Sequence, residues 1–76
     1  MTDSVLLRKK IESKGLKLIF VAEYLGVSPY GFQLKVENKQ EFKTSEVAAL
    51  CELLEIRTLE EKERIFFAKK DDSKSS

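Results

Sequence analysis

The 76-residue chain has no histidine, no tryptophan and only one cysteine, Cys51. A single cysteine excludes an internal disulfide, and without histidine a cysteine–histidine zinc cluster cannot be assembled. The sequence also has no recognisable nucleophile–base pair and no glycine-rich phosphate loop. We therefore expect no catalytic residues, no metal and no cofactor, and we do not expect an enzyme.

Long hydrophobic runs are missing as well. No apolar stretch approaches the roughly 18 residues of a membrane-spanning helix. No basic segment precedes an apolar one near the amino terminus, so we do not expect a secretion signal. A partner in the membrane is therefore not predicted, and the lone cysteine suits the reducing cytoplasm, which is the predicted location.

Strong basicity is absent too, because 14 Lys and Arg residues stand against 13 Asp and Glu residues. The charge is nevertheless unevenly distributed. Residues 1–45 contain eight basic and five acidic residues, and residues 46–76 contain six and eight, so the two parts carry +3 and −2. A mildly basic first part suits a one-sided contact with phosphates. Ordinary solvated charge explains the same pattern equally well.

Apolar residues at three- and four-residue spacing occur throughout the chain, and this spacing predicts an all-α fold. We expect a single domain over residues 1–70 with five helices and no strands. The polar, low-complexity end of the chain, residues 71–76, is predicted to be a disordered tail.

Glycines and cap residues delimit the first two predicted helices. The first helix is expected over residues 4–14. Either Asp3 or Ser4 caps its start, and Gly15 ends it. The second is expected over residues 17–25, and Gly26 ends it in the same way. One stripe of the second helix is apolar and is expected to face the core: Leu18, Val21, Ala22 and Leu25.

The third helix has the sharpest start signal. Ser28 is a good N-cap, and Pro29 suits the first helical position, where its missing N–H costs nothing. Val27 and Phe32 have the spacing of a hydrophobic staple, and Phe32 and Val36 should then face inward. The second helix, a short turn and the third helix follow within about 20 residues, which is the spacing of a helix-turn-helix unit.

A fourth helix is predicted to begin at Thr44 or Ser45. Four residues form its apolar stripe at spacings of three, four and seven: Val47, Leu50, Cys51 and Leu54. The cysteine is therefore expected to be buried and unreactive.

The fifth helix begins at "TLEE", where Thr58 and Glu61 have the spacing of a capping box. Further along, Ile65, Phe66 and Phe67 cannot all share one narrow stripe at about 100° per residue. We expect one aromatic side chain either to protrude or to be covered by a partner. These three residues are therefore candidate contacts of a homodimer.

The ordered set of apolar and turn residues resembles the lambda-repressor-like, or Cro-type, helix-turn-helix family, also called XRE. More narrowly, it looks like the short single-domain members from phages and integrated elements of Gram-positive bacteria. The resemblance covers most of residues 7–68 and includes the segments "EFKTSEV" and "IFF". The other matching residues are Leu7, Ile11, Gly15, Leu16, Val21, Ala22, Leu25, Gly26, Val27, Ser28, Phe32 and Val36. The resemblance implies a compact five-helix bundle, sequence-specific binding of double-stranded DNA, dimerisation and control of transcription.

The resemblance also implies roles for individual residues. Base-edge contacts would come from the outward side of the third helix, at Pro29, Tyr30, Gln33 and Leu34. Phosphate contacts would come from Lys17, Leu18, Ser28, Lys35, Asn38, Lys39 and Lys43. Helix N-termini and lysines attract phosphate, a glutamine amide can pair with adenine, and apolar side chains can touch the thymine methyl group.

Three residues depart from the family pattern. Leu18 stands where glutamine is frequent, Gly31 stands where a side chain is usual, and Glu37 adds negative charge near the phosphates. An alternative function is therefore a protein-binding module, an anti-repressor or adaptor, that uses the apolar residues Leu18, Phe20, Tyr30 and Leu34.

The apolar residues of the second helix leave further alternatives open. Leu18 either faces the core or belongs to the reading face. Phe20 and Tyr24 either pack under the first or fifth helix, or form part of a homodimer contact, or join a surface that binds another protein.

Overall fold

The computed structural model describes residues 1–68, and the predicted tail lies outside this part. Within it the chain forms α-helices and no strand, so the all-α prediction is confirmed. The five helices are α1 Ser4–Ser13, α2 Leu18–Leu25, α3 Pro29–Val36, α4 Thr44–Leu53 and α5 Leu59–Phe66. None of them is long and apolar enough to cross a membrane.

Short polar side chains cap the starts of α1 and α5, as predicted. Asp3 accepts a hydrogen bond from the Leu6 N–H at 3.0 Å, and Thr58 accepts one from the Glu61 N–H at 3.1 Å. These bonds satisfy backbone donors that have no partner within the helix. The Glu61 carboxylate does not complete the predicted capping box, because it pairs with Lys10 of α1 at 2.9 Å.

Each helix contributes two apolar residues to the core, and Leu54 and Ile56, which follow α4, add to it. Its largest fully buried side chains are Leu7, Ile11, Val21, Phe32, Val36, Leu50 and Leu54. Phe42, from the loop before α4, packs edge-on between Phe32 and Phe66, with ring centroids 6.0 and 5.9 Å away. Edge-to-face packing at this distance is favourable for aromatic rings. Phe42 is half-buried against the core, a position that the sequence pattern did not indicate.

The first three residues join α3 to α5. Thr2 donates its N–H to the Asn38 side chain at 2.8 Å and accepts from the same side chain at 2.8 Å. Asp3 donates its N–H to the Ile65 carbonyl at 2.6 Å, and Ala68 donates to the Met1 carbonyl at 2.9 Å. This segment therefore positions the end of α3 through bonds that no periodicity in the sequence indicates.

Helix α5 corrects one prediction and confirms another. Ile65 and Phe66 are buried in the core of the single chain, so their predicted role in a dimer contact is wrong. Phe67 is 58% exposed and is the aromatic that protrudes.

Cys51 is half-buried against the core, and burial raises the pKa of its thiol, which disfavours the reactive thiolate.

Candidate functional site

Helices α2 and α3 are joined by a tight, well-defined turn. Gly26 adopts a left-handed backbone, with φ of 76°, that ends α2. The Val27 N–H donates to the Ala22 carbonyl at 3.0 Å, and the Val27 side chain packs against the core. Ser28 then caps α3 by accepting from the Gly31 N–H at 3.0 Å. The predicted turn and cap are therefore present.

Gly31 is explained by this cap. A Cβ atom at Gly31 would lie 3.1 Å from the Ser28 hydroxyl oxygen, which is tighter than ordinary van der Waals contact. The absence of a side chain here lets the serine approach the first turn of α3 closely. The departure of Gly31 from the family pattern thus has a local structural reason.

The two sides of α3 differ as predicted. Phe32 and Val36 are each only 1% exposed and brace the helix from behind. Pro29 and Gln33 are exposed on the opposite side, and Tyr30 is 71% exposed. Leu34 is half-buried. Three of the four side chains expected to contact bases are therefore accessible, and the fourth is accessible in part.

Lys35 is a correction. Its ammonium group lies 2.6 and 2.8 Å from the two carboxylate oxygens of Glu46, and both residues are buried. Glu46 also accepts the Lys43 N–H at 2.8 Å and so helps to begin α4. A lysine held in this way ties α3 to α4 and is not presented to solvent. The phosphate contact predicted for Lys35 is therefore wrong.

Asn38 makes a second contact that was not predicted. Its backbone has φ of 66°, a left-handed conformation that asparagine tolerates better than most residues. Both ends of its side-chain amide are bonded to the Thr2 backbone. Asn38 is exposed, and its amide would have to exchange these bonds to make the predicted phosphate contact, which stays a prediction.

The other predicted phosphate contacts lie on the surface. Lys17, Lys39 and Lys43 are exposed, and the Ser28 hydroxyl is exposed but already accepts the cap hydrogen bond. Leu18 is 42% exposed at the start of α2, so the alternative in which it faces the core is wrong. The accessible lysines among the predicted phosphate contacts therefore lie before α2 and after α3.

An unpredicted residue, Arg8 of α1, joins this surface. Its guanidinium lies 3.4 Å from a Glu37 carboxylate oxygen, and the Gln33 amide donates to the same oxygen at 3.2 Å. The relation between Gln33 and Glu37, four residues apart on one helix, could have been found from the sequence. The approach of Arg8 could not, because 29 residues separate it from Glu37.

The outward side of α2 is apolar. Ile19 is 61% exposed, Phe20 is 46% exposed and Tyr24 is 45% exposed. The rings of Phe20 and Tyr24 contact each other with centroids 6.5 Å apart. The alternative in which these rings pack under α1 or α5 is therefore wrong, since nearly half of each remains in contact with solvent.

Leu18 and Ile19 continue this apolar surface towards α3. They line a groove of about 290 Å³ together with Arg8, Pro29 and Gln33. Apolar and polar groups thus meet where α2 approaches α3. No family model, curated protein or solved structure matches the chain, so the interpretation of this surface depends on its own geometry.

Proposed function

We propose that the protein is a small cytoplasmic regulator of transcription that binds double-stranded DNA, of the lambda-repressor-like helix-turn-helix type found in phages and mobile elements. One observation carries this proposal. Helix α3 is capped at Ser28 and braced by Phe32 and Val36, while Tyr30 and Gln33 extend from its outward side. A helix presented in this way fits the major groove, which admits an α-helix and displays a distinct pattern for each base pair.

The accessible cations supply the electrostatic part of the proposed contact. Lys17 lies directly before α2, Lys39 and Lys43 lie between α3 and α4, and all three are exposed. Lysines that neutralise phosphates release counterions and give affinity that is independent of sequence. The backbone N–H groups at the starts of α2 and α3 add partial positive charge.

Base reading in this proposal belongs to Gln33 and Tyr30. The Gln33 amide can offer a paired donor and acceptor to adenine, and the Tyr30 ring can touch a thymine methyl group. The hydrogen bond from Gln33 to Glu37 has to be exchanged for one to a base. The ion pair between Arg8 and Glu37 reduces the repulsion between this carboxylate and nearby phosphates.

Selection from random DNA duplexes at low salt tests the proposal. We expect a short motif to be enriched, with affinity that falls steeply as salt rises from about 50 to 200 mM. Replacing Lys39 by alanine should weaken all sequences alike, whereas Gln33→Ala should relax the preference at one base pair. If no sequence is enriched by the wild-type protein, the proposal is wrong.

A second candidate is a protein-binding module, an anti-repressor or adaptor, that uses Leu18, Phe20, Tyr30 and Leu34. The exposed apolar side of α2 favours it, because contiguous apolar patches tend to mark interfaces. A Phe20→Ser variant separates the candidates. Under the first proposal it retains the enriched DNA motif, and under the second it loses a partner that the Lys39→Ala variant still binds.

A further inference from the structure

The outward side of α2 combines apolar side chains with two unpaired charges. Lys17, Ile19, Phe20 and Glu23 line one shallow groove, together with Gly15 and Leu16. Both charged residues are exposed. Neither forms an ion pair in the part of the chain that the structure describes. The groove therefore offers an apolar floor with one positive and one negative group at its border.

The order of these residues along the chain is symmetric about Phe20. Lys17 precedes it by three residues and Glu23 follows it by three, so each charge is displaced by about 4.5 Å along the helix axis at 1.5 Å per residue. If two copies of α2 lie antiparallel and cross at Phe20, Lys17 of each copy lies opposite Glu23 of the other. A twofold contact requires this kind of self-complementary surface.

We propose that a second copy of this chain docks on the outward side of α2 in an antiparallel arrangement. Ile19, Phe20 and Tyr24 form the apolar centre of the contact. Lys17 and Glu23 form two symmetric ion pairs across it. Charge complementarity favours a second copy as the occupant, since each copy carries both the cation and the anion that face their opposites under a twofold axis at Phe20.

The small area of this surface indicates a weak contact. An aromatic side chain can bury roughly 150–250 Å², so each half-exposed ring contributes on the order of 100 Å². With Ile19 and the flanking residues the patch reaches roughly 400 Å² per copy, about half that of a standard interface. We therefore expect a weak, reversible dimer with a dissociation constant on the order of 100 µM.

Charge exchange tests the arrangement in the full-length chain without DNA. Sedimentation equilibrium from about 10 to 500 µM at low salt should show the wild-type dimer. Lys17→Glu or Glu23→Lys alone should each weaken it about tenfold, because both ion pairs become repulsive. An equimolar mixture of the two variants should associate again, since each mixed contact then joins opposite charges. The double variant carrying both changes should also associate.

The same experiment can overturn the proposal. A wild-type chain that remains monomeric at about 500 µM excludes the dimer. Association that survives both single changes, or that the mixture fails to restore, excludes the antiparallel contact. Association that is lost in Phe67→Ser but kept in Phe20→Ser places the contact on α5 instead. Circular dichroism checks that each variant is folded, and all substituted side chains are exposed.

The dimer does not depend on the proposed DNA binding, because its readout is the mass of the protein alone. The two proposals nevertheless share Lys17. If both are correct, low-salt DNA titrations at protein concentrations near the dissociation constant should show competition between self-association and DNA binding.

Discussion

Helices α2 and α3 are both eight residues long and pack against each other, yet they use their apolar residues differently. In α3 the phenylalanine, Phe32, is fully buried, and the outward side carries Gln33 and the hydroxyl-bearing Tyr30. In α2 the buried residues are the smaller Val21 and Ala22, while Phe20 remains exposed. Helix α3 thus uses its phenylalanine for the fold, whereas α2 leaves Ile19, Phe20 and Tyr24 exposed and carries more apolar surface than the core of one chain buries.

The largest expected effect is the difference in stability between variants of the buried Phe32 and of the exposed Phe20. Phe32→Ala should lower the free energy of unfolding by about 4 kcal/mol, because it removes buried contacts and leaves a cavity. Phe20→Ala should change it by less than about 1 kcal/mol, since this ring is half exposed. Urea denaturation measures both. A domain of this size has a small free energy of unfolding, so the alanine variant can fail to fold. In that case Phe32→Leu replaces it, with an expected loss of about 1.5 kcal/mol.

Similar effects for the two phenylalanines would contradict the comparison. They would show that the outward side of α2 is covered in solution, by a second copy or by another part of the chain. Repeating the denaturation at several protein concentrations distinguishes these outcomes, because only a dimer makes the midpoint depend on concentration.

Helix boundaries could be predicted because they depend on local chemistry. Ser28, Thr58 and Asp3 act on N–H groups within three residues, and Gly26 ends α2 through its own backbone. The inward placement of Phe32 could be predicted for a related reason, since the staple and the helical period act over one or two turns.

The features that could not be predicted are contacts between distant parts of the chain. Lys35 meets Glu46 of another helix, and Asn38 meets Thr2, 36 residues away. Helical periodicity tells which residues share a side but not which side a neighbouring helix covers. For that reason the sequence could not place Phe20 and Tyr24 outside the core, nor assign Phe66 to it.

The next largest effect concerns the contact between α3 and α4. Lys35→Met should destabilise the protein by about 2–3 kcal/mol, because Glu46 then remains buried without its main partner. The cost is below that of a fully stranded charge, since Glu46 still accepts the Lys43 N–H. Lys39→Met is the matched control and should be nearly neutral, because Lys39 is exposed. Equal effects in thermal unfolding would show that the buried ion pair contributes little.

The same ion pair predicts a pH dependence. Burial raises the pKa of Glu46, but hydrogen bonds from Lys35 and the Lys43 N–H outweigh it and hold that pKa below its ordinary value of 4.5. The stabilisation is therefore complete above the unfolded-state pKa and is lost as the pH falls through the folded-state value. Without Lys35 the pKa of Glu46 should rise, so the difference in stability between wild type and variant should narrow from about pH 6 to pH 3. A constant difference would contradict this assignment.

The smallest effect returns to the starts of α2 and α3. Ser28 accepts the Gly31 N–H, whereas Lys17, at the corresponding position before α2, provides no side-chain hydrogen bond. Ser28→Ala should therefore lower the free energy of unfolding by about 1 kcal/mol, while Lys17→Ala should leave it nearly unchanged. Both variants remove an exposed group, so chemical denaturation compares them directly.

Lys17→Ala should nevertheless weaken both self-association and DNA binding, since its proposed role lies in contacts outside the chain. A loss of stability in Lys17→Ala as large as in Ser28→Ala would assign the lysine to the fold, and the outward side of α2 would then lose one of the two charges that select its partner.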